Sequence, residues 1–252
     1  MEQTVYRVLL ILSFLMAVAC LPSLFFVSAP YGRHTRKGWG AVISDRVGWI
    51  VMESPAVLVF ALCFAYGRRH ASVAAVVLFA MWETHYIHRA FIYPLGIRSR
   101  EGKMPISVVA MALLFNVMNG YLNGRWVFSL SSNYTEKWLL DPRFWSGFAI
   151  FVAGYLINRH ADQVLRSLRK PGESTYSIPY GGLYRWISCP NYLGEILEWV
   201  GWAVATWSLP GLAFAVWTAA NLAPRAWTNH LWYQERFPDY PAERKALVPG
   251  VW

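Results

Sequence analysis

Two side chains in neighbouring apolar segments, the carboxyl of Glu53 and the phenol of Tyr86, are of the types that hold a carbonyl oxygen. A carboxyl in an apolar environment can stay protonated and then donates a hydrogen bond. Two donors on one oxygen would stabilise the oxyanion that forms when the conjugated carbon is attacked. The alternative is a structural bridge from Glu53 to Arg89 or to a histidine, and the residue types favour neither.

The spacing predicts that Glu53 and Tyr86 lie at matching depth in two antiparallel helices. Glu53 follows the start of the apolar segment 47–66 by about six residues, or ~9 Å of helix. Tyr86 precedes the end of the segment 71–93 by about seven residues, or ~10 Å of helix. Because the second segment returns toward the end from which the first one starts, both groups would face one site.

Polar residues also recur at helical spacing near one end of three later apolar segments. They are Asn158, Asp162 and Arg169; Asn191, Glu195 and Glu198; and Arg225, Asn229 and Tyr233. Arginine suits phosphates, while amides and carboxylates suit ribose hydroxyls and a carboxamide, so the three sets predict a nucleotide site. The alternatives are a salt-bridge network between helices and, for Asn191, a helix N-cap. Because the sequence has neither a GxGxxG turn after a strand nor a P-loop, a nucleotide must bind within a helical bundle.

Glu83, His85 and His88 are of the types that bind metals. His85 and His88 are three residues apart and can share one face of a helix. No second motif of histidine and carboxylate accompanies them, as a di-iron site would require, so no metal is predicted. The alternative is that these residues line a wet cavity or pair with Arg89.

The elements that position these residues are predicted to be membrane-spanning helices. The chain has 252 residues, of which 56% are hydrophobic and 15% are charged, whereas soluble proteins carry about 25% charged residues. A span takes about 20 residues, so seven spans and their loops fill the chain as one all-α polytopic domain, 1–252. The predicted spans are 6–27, 47–66, 71–93, 104–128, 144–158, 191–208 and 212–233. The fifth span is predicted to continue toward Leu168, and Leu209-Pro210-Gly211 is predicted to turn the chain between the last two.

Lysine and arginine counts orient the predicted spans. Sixteen of these cations fall in the segments 33–46, 98–103, 159–185 and 225–245, against six on the other side. This bias places the N-terminus outside and the C-terminus in the cytoplasm, and it explains the net charge of +9 without nucleic acid as a partner. The polar stretch 158–195 then faces the cytoplasm, where soluble nucleotide cofactors are found, and is predicted to form part of the cofactor site.

The sequence resembles the steroid 5α-reductase family through four motifs in collinear order. They are HYIHRAFIYPL (85–95), LRKPGESTYSIPYGGLYRWIS (168–188), NYLGEILEWVGWAVATWSLP (191–210) and DYPAERKALVP (239–249), and PYGRHT (30–35) fits as well. The resemblance implies a seven-helix membrane enzyme that uses NADPH to reduce the 4,5 double bond of 3-oxo-4-ene steroids. It also implies that Glu53 and Tyr86 bind the C3 carbonyl, that hydride reaches C5, and that a proton then reaches C4.

The resemblance further implies a set of cofactor contacts. They are Arg98, Arg100, Asn158, Asp162, Arg169, Tyr176, Asn191, Glu195, Arg225, Asn229 and Tyr233, with the first two at the adenosine phosphate end. Three residues depart from the family pattern: Met52 replaces a frequent Gln, Ile97 an Asn and Asn229 a His. These departures leave the identity of the substrate and the finer cofactor contacts open.

The expected partners are a steroid or another lipid-soluble enone and the lipid bilayer, and the chain is expected to be a monomer. Its expected place is the bacterial inner membrane or the endoplasmic reticulum, with the cofactor site facing the cytoplasm. One alternative keeps the fold and reduces a polyprenol or an enoyl-CoA, but a Glu53–Tyr86 pair favours a ketone. Others are a membrane methyltransferase of related topology and a non-enzymatic sterol-binding or transport protein. The basic residues suit a ligand with several phosphates better than a methyl donor.

Overall fold

Seven long helices make up most of the residues that the structure describes, in agreement with the all-α prediction. The structure, a computed structural model, describes residues 1–28, 30, 32–68, 72–97, 102–168 and 176–252, so Arg98, Arg100 and Arg169 lie outside the described residues. The long helices are α1 (Glu2–Phe26), α2 (Asp45–Ala65), α3 (Val73–Ile87), α4 (Ile106–Arg125), α5 (Pro142–Ser167), α6 (Pro190–Thr206) and α7 (Leu209–Arg236).

Two of these helices continue beyond a change of helical pitch. α3 passes through a π-helical turn, His88–Ile92, into a short helical turn, Tyr93–Leu95, and α4 ends in a π-helical turn, Trp126–Leu130. α5 runs to Ser167, as the predicted continuation of the fifth span requires. Short 3₁₀ turns lie at Gly32–His34, Glu136–Leu140 and Gly182–Arg185.

Within the described residues, three helices are apolar enough by length and composition to cross a membrane: α1, α2 and the continuous helix Ile106–Leu130. The other long helices carry buried polar groups, among them Glu83, Asp162 and Glu198, which lower their hydropathy. The count of seven spans and the orientation of the termini therefore stay predictions.

The loops of the described chain gather at two ends of the bundle. At one end, β1 (Val42–Ser44) pairs antiparallel with β2 (Lys103–Pro105), so the loop after α1 is joined to the loop before α4. The C-terminal tail is held at this end by a bridge between Ile187 and Lys245. We call it the sheet end, and the predicted cofactor residues cluster there.

The opposite end is held together by side-chain hydrogen bonds to backbone carbonyls. The Tyr134 hydroxyl donates to the Thr206 carbonyl at 2.8 Å, and Ser72 donates to the Tyr134 carbonyl at 3.0 Å. The chain thus alternates between the two ends, helix by helix.

The reversal between α6 and α7 lies at Trp207, whose φ is 45°, so the prediction of a turn at Leu209-Pro210-Gly211 is wrong. Ser208 is the N-cap of α7, and its hydroxyl accepts from the Gly211 N–H at 3.1 Å. Because proline is well tolerated in the first turn of a helix, Pro210 is accommodated in the first turn of α7 and does not interrupt the helix.

α5 and α6 pack at backbone contact through glycines spaced seven residues apart. Gly147 and Gly154 of α5 face Gly201 and Gly194 of α6. A Cβ atom on Gly194 would lie 2.7 Å from the Gly154 carbonyl oxygen and would collide with the backbone nitrogen of Asn158. Small residues permit such close approach between helices in membranes. This contact sets the register that brings the polar end of α5 against the first turns of α6.

Candidate active site

A cavity of about 680 Å³ lies inside the bundle between α1, α2, α3, α4 and α7. Its polar lining includes Glu53, Tyr86, Arg89, Asn116 and Glu195, and most of the remaining wall is apolar. Pockets of roughly 300–1,000 Å³ hold small organic ligands. The cavity therefore fits an apolar ligand that presents a few polar atoms.

Glu53 of α2 and Tyr86 of α3 lie at the same level of the bundle and line this cavity. The level is fixed by Trp82, whose indole N–H donates to the Ala56 carbonyl at 3.0 Å. Ala56 lies three residues after Glu53, and Trp82 lies four residues before Tyr86, so the antiparallel helices bring the two side chains together. The predicted match in depth is confirmed by this register.

The Glu53 carboxyl is held from α4. The Asn116 side-chain nitrogen donates to Glu53 Oε2 at 3.1 Å and to the Met52 carbonyl at 2.7 Å. Asn116 is buried, so both hydrogen bonds are shielded from water. The first bond leaves Oε1 of Glu53 as the oxygen that can serve a ligand.

Arg89 joins the extension of α3 to α5 and α6. Its guanidinium lies 3.7 Å from Asp162 Oδ2 and 3.6 Å from Glu195 Oε2, and it sits 4.4 Å from the Trp49 ring centre. The ion pairs of the described residues thus give Arg89 two carboxylate partners and do not include Glu53. The alternative of a Glu53–Arg89 bridge is therefore wrong.

The predicted polar residues of α5 and α6 form one network. Asn158 donates to the Asn191 carbonyl at 2.9 Å and to Glu195 Oε2 at 3.5 Å, and Asn191 donates to Asp162 Oδ1 at 3.4 Å. Asn191 is not an N-cap, because α6 begins at Pro190 with Cys189 in the cap position. The four polar side chains thus meet as the helical periodicity predicts.

Arg225 and Asn229 of α7 converge on the hydroxyl of Tyr192. Arg225 donates to this hydroxyl at 3.2 Å and Asn229 at 3.3 Å. Asn229 Oδ1 also lies 2.9 Å from Nε2 of His34, in the loop after α1. Burial, helped by the charges of Arg33 and Arg225, lowers the pKa of His34 below its ordinary value of 6.5.

Tyr176 and Tyr233 contact Arg33. The Arg33 guanidinium carbon is 5.2 Å from the Tyr176 ring centre, 4.6 Å from that of Tyr233 and 4.8 Å from that of Trp232. No sequence pattern assigns a role of its own to Arg33 or His34. The only signal for them is the PYGRHT similarity, because a loop has no periodicity to reveal a shared face.

His85 of α3 and His88 of the following π-helical turn form separate pairs. His85 Nδ1 lies 2.9 Å from Glu198 Oε1, with both residues buried, and His88 contacts the Arg159 guanidinium. Glu83 is buried, and neither of its carboxyl oxygens has a hydrogen-bond partner in the described part of the chain. No three metal-binding side chains meet within the described ranges.

Comparisons with known proteins agree with the resemblance. The family profile described as 3-oxo-5-alpha-steroid 4-dehydrogenase matches residues 102–252. The chain is 42% identical over 255 residues to steroid 5-alpha-reductase DET2 of Gossypium hirsutum. This alignment covers 100% of this chain and 99% of the relative. It is also 42% identical over 238 residues to 3-oxo-5-alpha-steroid 4-dehydrogenase 1 of Bos taurus. This second alignment covers 93% of this chain and 92% of the relative.

Proposed function

Since the chain belongs to the 3-oxo-5-alpha-steroid 4-dehydrogenase family, and is thus an oxidoreductase acting on a CH–CH bond of steroids, we propose that it uses NADPH. The reaction is reduction of the 4,5 double bond of a 3-oxo-4-ene steroid to the 5α-steroid. The observation that carries this proposal is the meeting of Glu53 and Tyr86 in one largely apolar cavity.

Glu53 and Tyr86 bind the C3 oxygen of the substrate as a pair of hydrogen-bond donors. Because Asn116 donates to Glu53 Oε2, a proton on this carboxyl belongs on Oε1, which then donates to the substrate. The two donors stabilise the enolate oxygen that develops as C5 is reduced. NADPH, when bound, supplies the hydride that reaches C5. The apolar wall keeps water from the reacting carbons.

The residues at the sheet end fit a nucleotide cofactor. Asp162 Oδ2 is buried with no hydrogen-bond partner among the described residues, and it can accept from a hydroxyl. Asn158, Asn191 and Glu195 add amide and carboxylate groups that suit a carboxamide and ribose hydroxyls. Arg225 supplies positive charge at the cavity wall. By the resemblance, Tyr176, Asn229 and Tyr233 continue this site, and Arg98, Arg100 and Arg169 serve the phosphates.

The proposal includes a place for the protein in the cell. A multi-pass chain of seven spans, with the sheet end in the cytoplasm, lets NADPH reach α5, α6 and α7 from the aqueous side. The apolar part of the cavity takes the steroid from the bilayer. The chain is proposed to act as a monomer.

The proposal is tested with purified full-length protein, NADPH, and progesterone or testosterone. We expect loss of NADPH absorbance and formation of the 5α-dihydro steroid, identified by mass spectrometry against authentic 5α and 5β standards. NADH in place of NADPH is the matched cofactor control and should be used poorly. If several 3-oxo-4-ene steroids give no product while a polyprenol or an enoyl-CoA is reduced, the steroid assignment fails.

A further inference from the structure

Asn221 of α7 lines the same cavity as Glu53 and Tyr86, but at a different level of the bundle. The level of Tyr86 is marked on α7 by Phe214, since the two ring centres lie 6.5 Å apart. Asn221 follows Phe214 by seven residues, or two turns, and so lies on the same face of the helix, ~10 Å farther along it. The cavity therefore has polar groups at two separate levels.

The side-chain amide of Asn221 is held in a defined orientation. Arg225 Nη1 donates to its oxygen, Oδ1, at 3.0 Å. Because a guanidinium only donates, the atom beside Arg225 must be the amide oxygen and not the nitrogen. The nitrogen, Nδ2, then lies 3.9 Å from the sulfur of Cys20 in α1, and Cys20 also lines the cavity. The donor edge of the amide is thus presented at the cavity wall between α7 and α1.

The contact with Cys20 leaves the Asn221 nitrogen with capacity for a ligand. A thiol sulfur is a weak acceptor, and 3.9 Å is a long contact even for sulfur. The nitrogen carries two N–H groups, so the contact with Cys20 uses at most one of them. Ser23, which also lines the cavity, donates its hydroxyl hydrogen to the Ala19 carbonyl at 2.7 Å. At this part of the wall, Asn221 is therefore a donor suited to an oxygen of a bound molecule.

The form of the cavity indicates which molecule carries that oxygen. Apart from its polar groups the wall is mostly apolar, with contributions from Met16 and Leu24 of α1, Met111 and Phe115 of α4, and Trp217 of α7. A ligand that satisfies both polar levels is a stiff apolar body with an oxygen at each end. A four-ring steroid with a 3-oxo group has this form when a second oxygen is attached at C17, because C3 and C17 lie at opposite ends of the skeleton.

We propose that Asn221 donates a hydrogen bond to an oxygen at C17 of the steroid, and so selects steroids that carry an oxygen at both ends. A steroid without that oxygen leaves the amide donor without an acceptor inside the cavity, which costs free energy. The inference rests on the proposed function in placing a 3-oxo-4-ene steroid in the cavity with its C3 oxygen at Glu53 and Tyr86.

The test measures steroid binding and not turnover. The full chain in phosphatidylcholine nanodiscs, with NADP⁺ present so that no hydride is available, is dialysed to equilibrium against tritiated steroids. Empty nanodiscs measure the partition of each steroid into lipid. Androst-4-ene-3,17-dione has a ketone at C17, whereas androst-4-en-3-one has no oxygen there. We expect Asn221→Leu to weaken binding of the dione about tenfold relative to androst-4-en-3-one, as for one lost hydrogen bond.

Asn221→Asp separates the role of the donor from that of size and polarity. It keeps an oxygen beside Arg225 but replaces the donating nitrogen with a carboxylate oxygen, which only accepts. The relative affinity for the dione should fall as in Asn221→Leu. Testosterone should keep its affinity, because its C17 hydroxyl can donate to the carboxylate. Asn133→Asp is the matched control, since Asn133 is exposed at the opposite end of the bundle, and should bind all three steroids as the wild type does.

The outcomes separate the inference from the proposed function. Unchanged relative affinities in both Asn221 variants overturn the inference and leave steroid reduction standing, and so does an equal loss for all three steroids, which would make Asn221 structural. Weaker NADPH binding by Asn221→Asp in calorimetry also overturns it, by assigning the amide to the nucleotide. If Asn221→Leu does not fold, Asn221→Asp decides. A preference for the dione that depends on Asn221 supports the inference even if the chain reduces no enone, whereas a wild type that binds no steroid overturns both.

Discussion

The side-chain nitrogen of Asn116 donates to Oε2 of Glu53 at 3.1 Å across the interface of α2 and α4. The same nitrogen donates to the Met52 carbonyl at 2.7 Å, so the amide cannot turn away without losing a second buried bond. This arrangement orients the carboxyl and leaves one oxygen free for the cavity. It gives the proposed carbonyl-binding pair a supporting residue on a third helix.

Replacing Glu53 with Gln tests the proposed carbonyl-binding role directly. The amide keeps the size of the side chain but is a weaker donor than a carboxylic acid. We expect kcat to fall about 100-fold or more, because the lost stabilisation applies to the developing enolate. NADPH affinity, measured by calorimetry, should stay as in the wild type. Parallel losses of turnover and NADPH affinity would contradict a role confined to the substrate carbonyl.

Asn116→Leu removes the support and keeps the approximate volume of the side chain. We expect kcat to fall about tenfold, the equivalent of one lost buried hydrogen bond. In a chain that already carries Glu53→Gln, the same change should have little further effect, because residues that act as a unit are not additive. A double-mutant cycle on kcat measures this coupling. Full additivity would show that Asn116 acts independently of Glu53.

Arg89→Met leaves one buried carboxylate, Asp162, and one half-buried carboxylate, Glu195, without their cation. Breaking a buried pair by removing one partner typically costs ~3–5 kcal/mol, so we expect a marked fall in Tm. Arg143→Met is the matched control, because Arg143 pairs with Asp141 at the surface and should leave Tm unchanged. Thermal unfolding in detergent compares the two variants, and equal Tm values would argue against Arg89 as a buried organiser of the site.

The match between Glu53 and Tyr86 was predictable because helical rise is constant and the two helices are joined by a short loop. Helical periodicity also predicted the network between α5 and α6. It places Asn158 and Asp162 before the connector, and Asn191 and Glu195 after it, at the same end of the bundle. Periodicity places residues on a face and at a depth. A prediction of this kind can be made without knowing how the helices are rotated against each other.

The partners of Arg89 did depend on that rotation. The sequence offers Glu53 and the cluster of Glu83, His85 and His88 as possible partners of Arg89. The packed structure pairs Arg89 with Asp162 and Glu195 instead. The loop after α1 is a harder case, because His34 and its partner Asn229 are 195 positions apart in the chain. Patterns within a short stretch of sequence carry no information about a contact between residues so far apart in the chain.

Gly194→Ala tests whether backbone contact between α5 and α6 positions the polar network. The new methyl group would collide with the backbone of Asn158, and because no side chain can move aside, the helices must separate. We expect lower Tm and weaker NADPH binding together. Gly120→Ala in α4 is the matched control, since its methyl would meet the Val59 side chain at 3.3 Å. Normal NADPH affinity in Gly194→Ala would show that the network does not need this contact.

His34 makes stability depend on pH in a direction that its environment sets. Its pKa is below 6.5 in the folded protein, because burial and then the charges of Arg33, Arg36 and Arg225 disfavour the imidazolium. The unfolded chain thus binds the proton more readily, so the folded state is favoured above pH ~6.5 and loses stability as the pH falls through that value. Glutamine can still bond Asn229 but does not titrate in this pH range. The decrease in Tm between pH 7.5 and pH 5 should therefore be smaller in His34→Gln than in the wild type, and the difference is the contribution of His34. Identical pH profiles in the wild type and His34→Gln would contradict a neutral, half-buried His34.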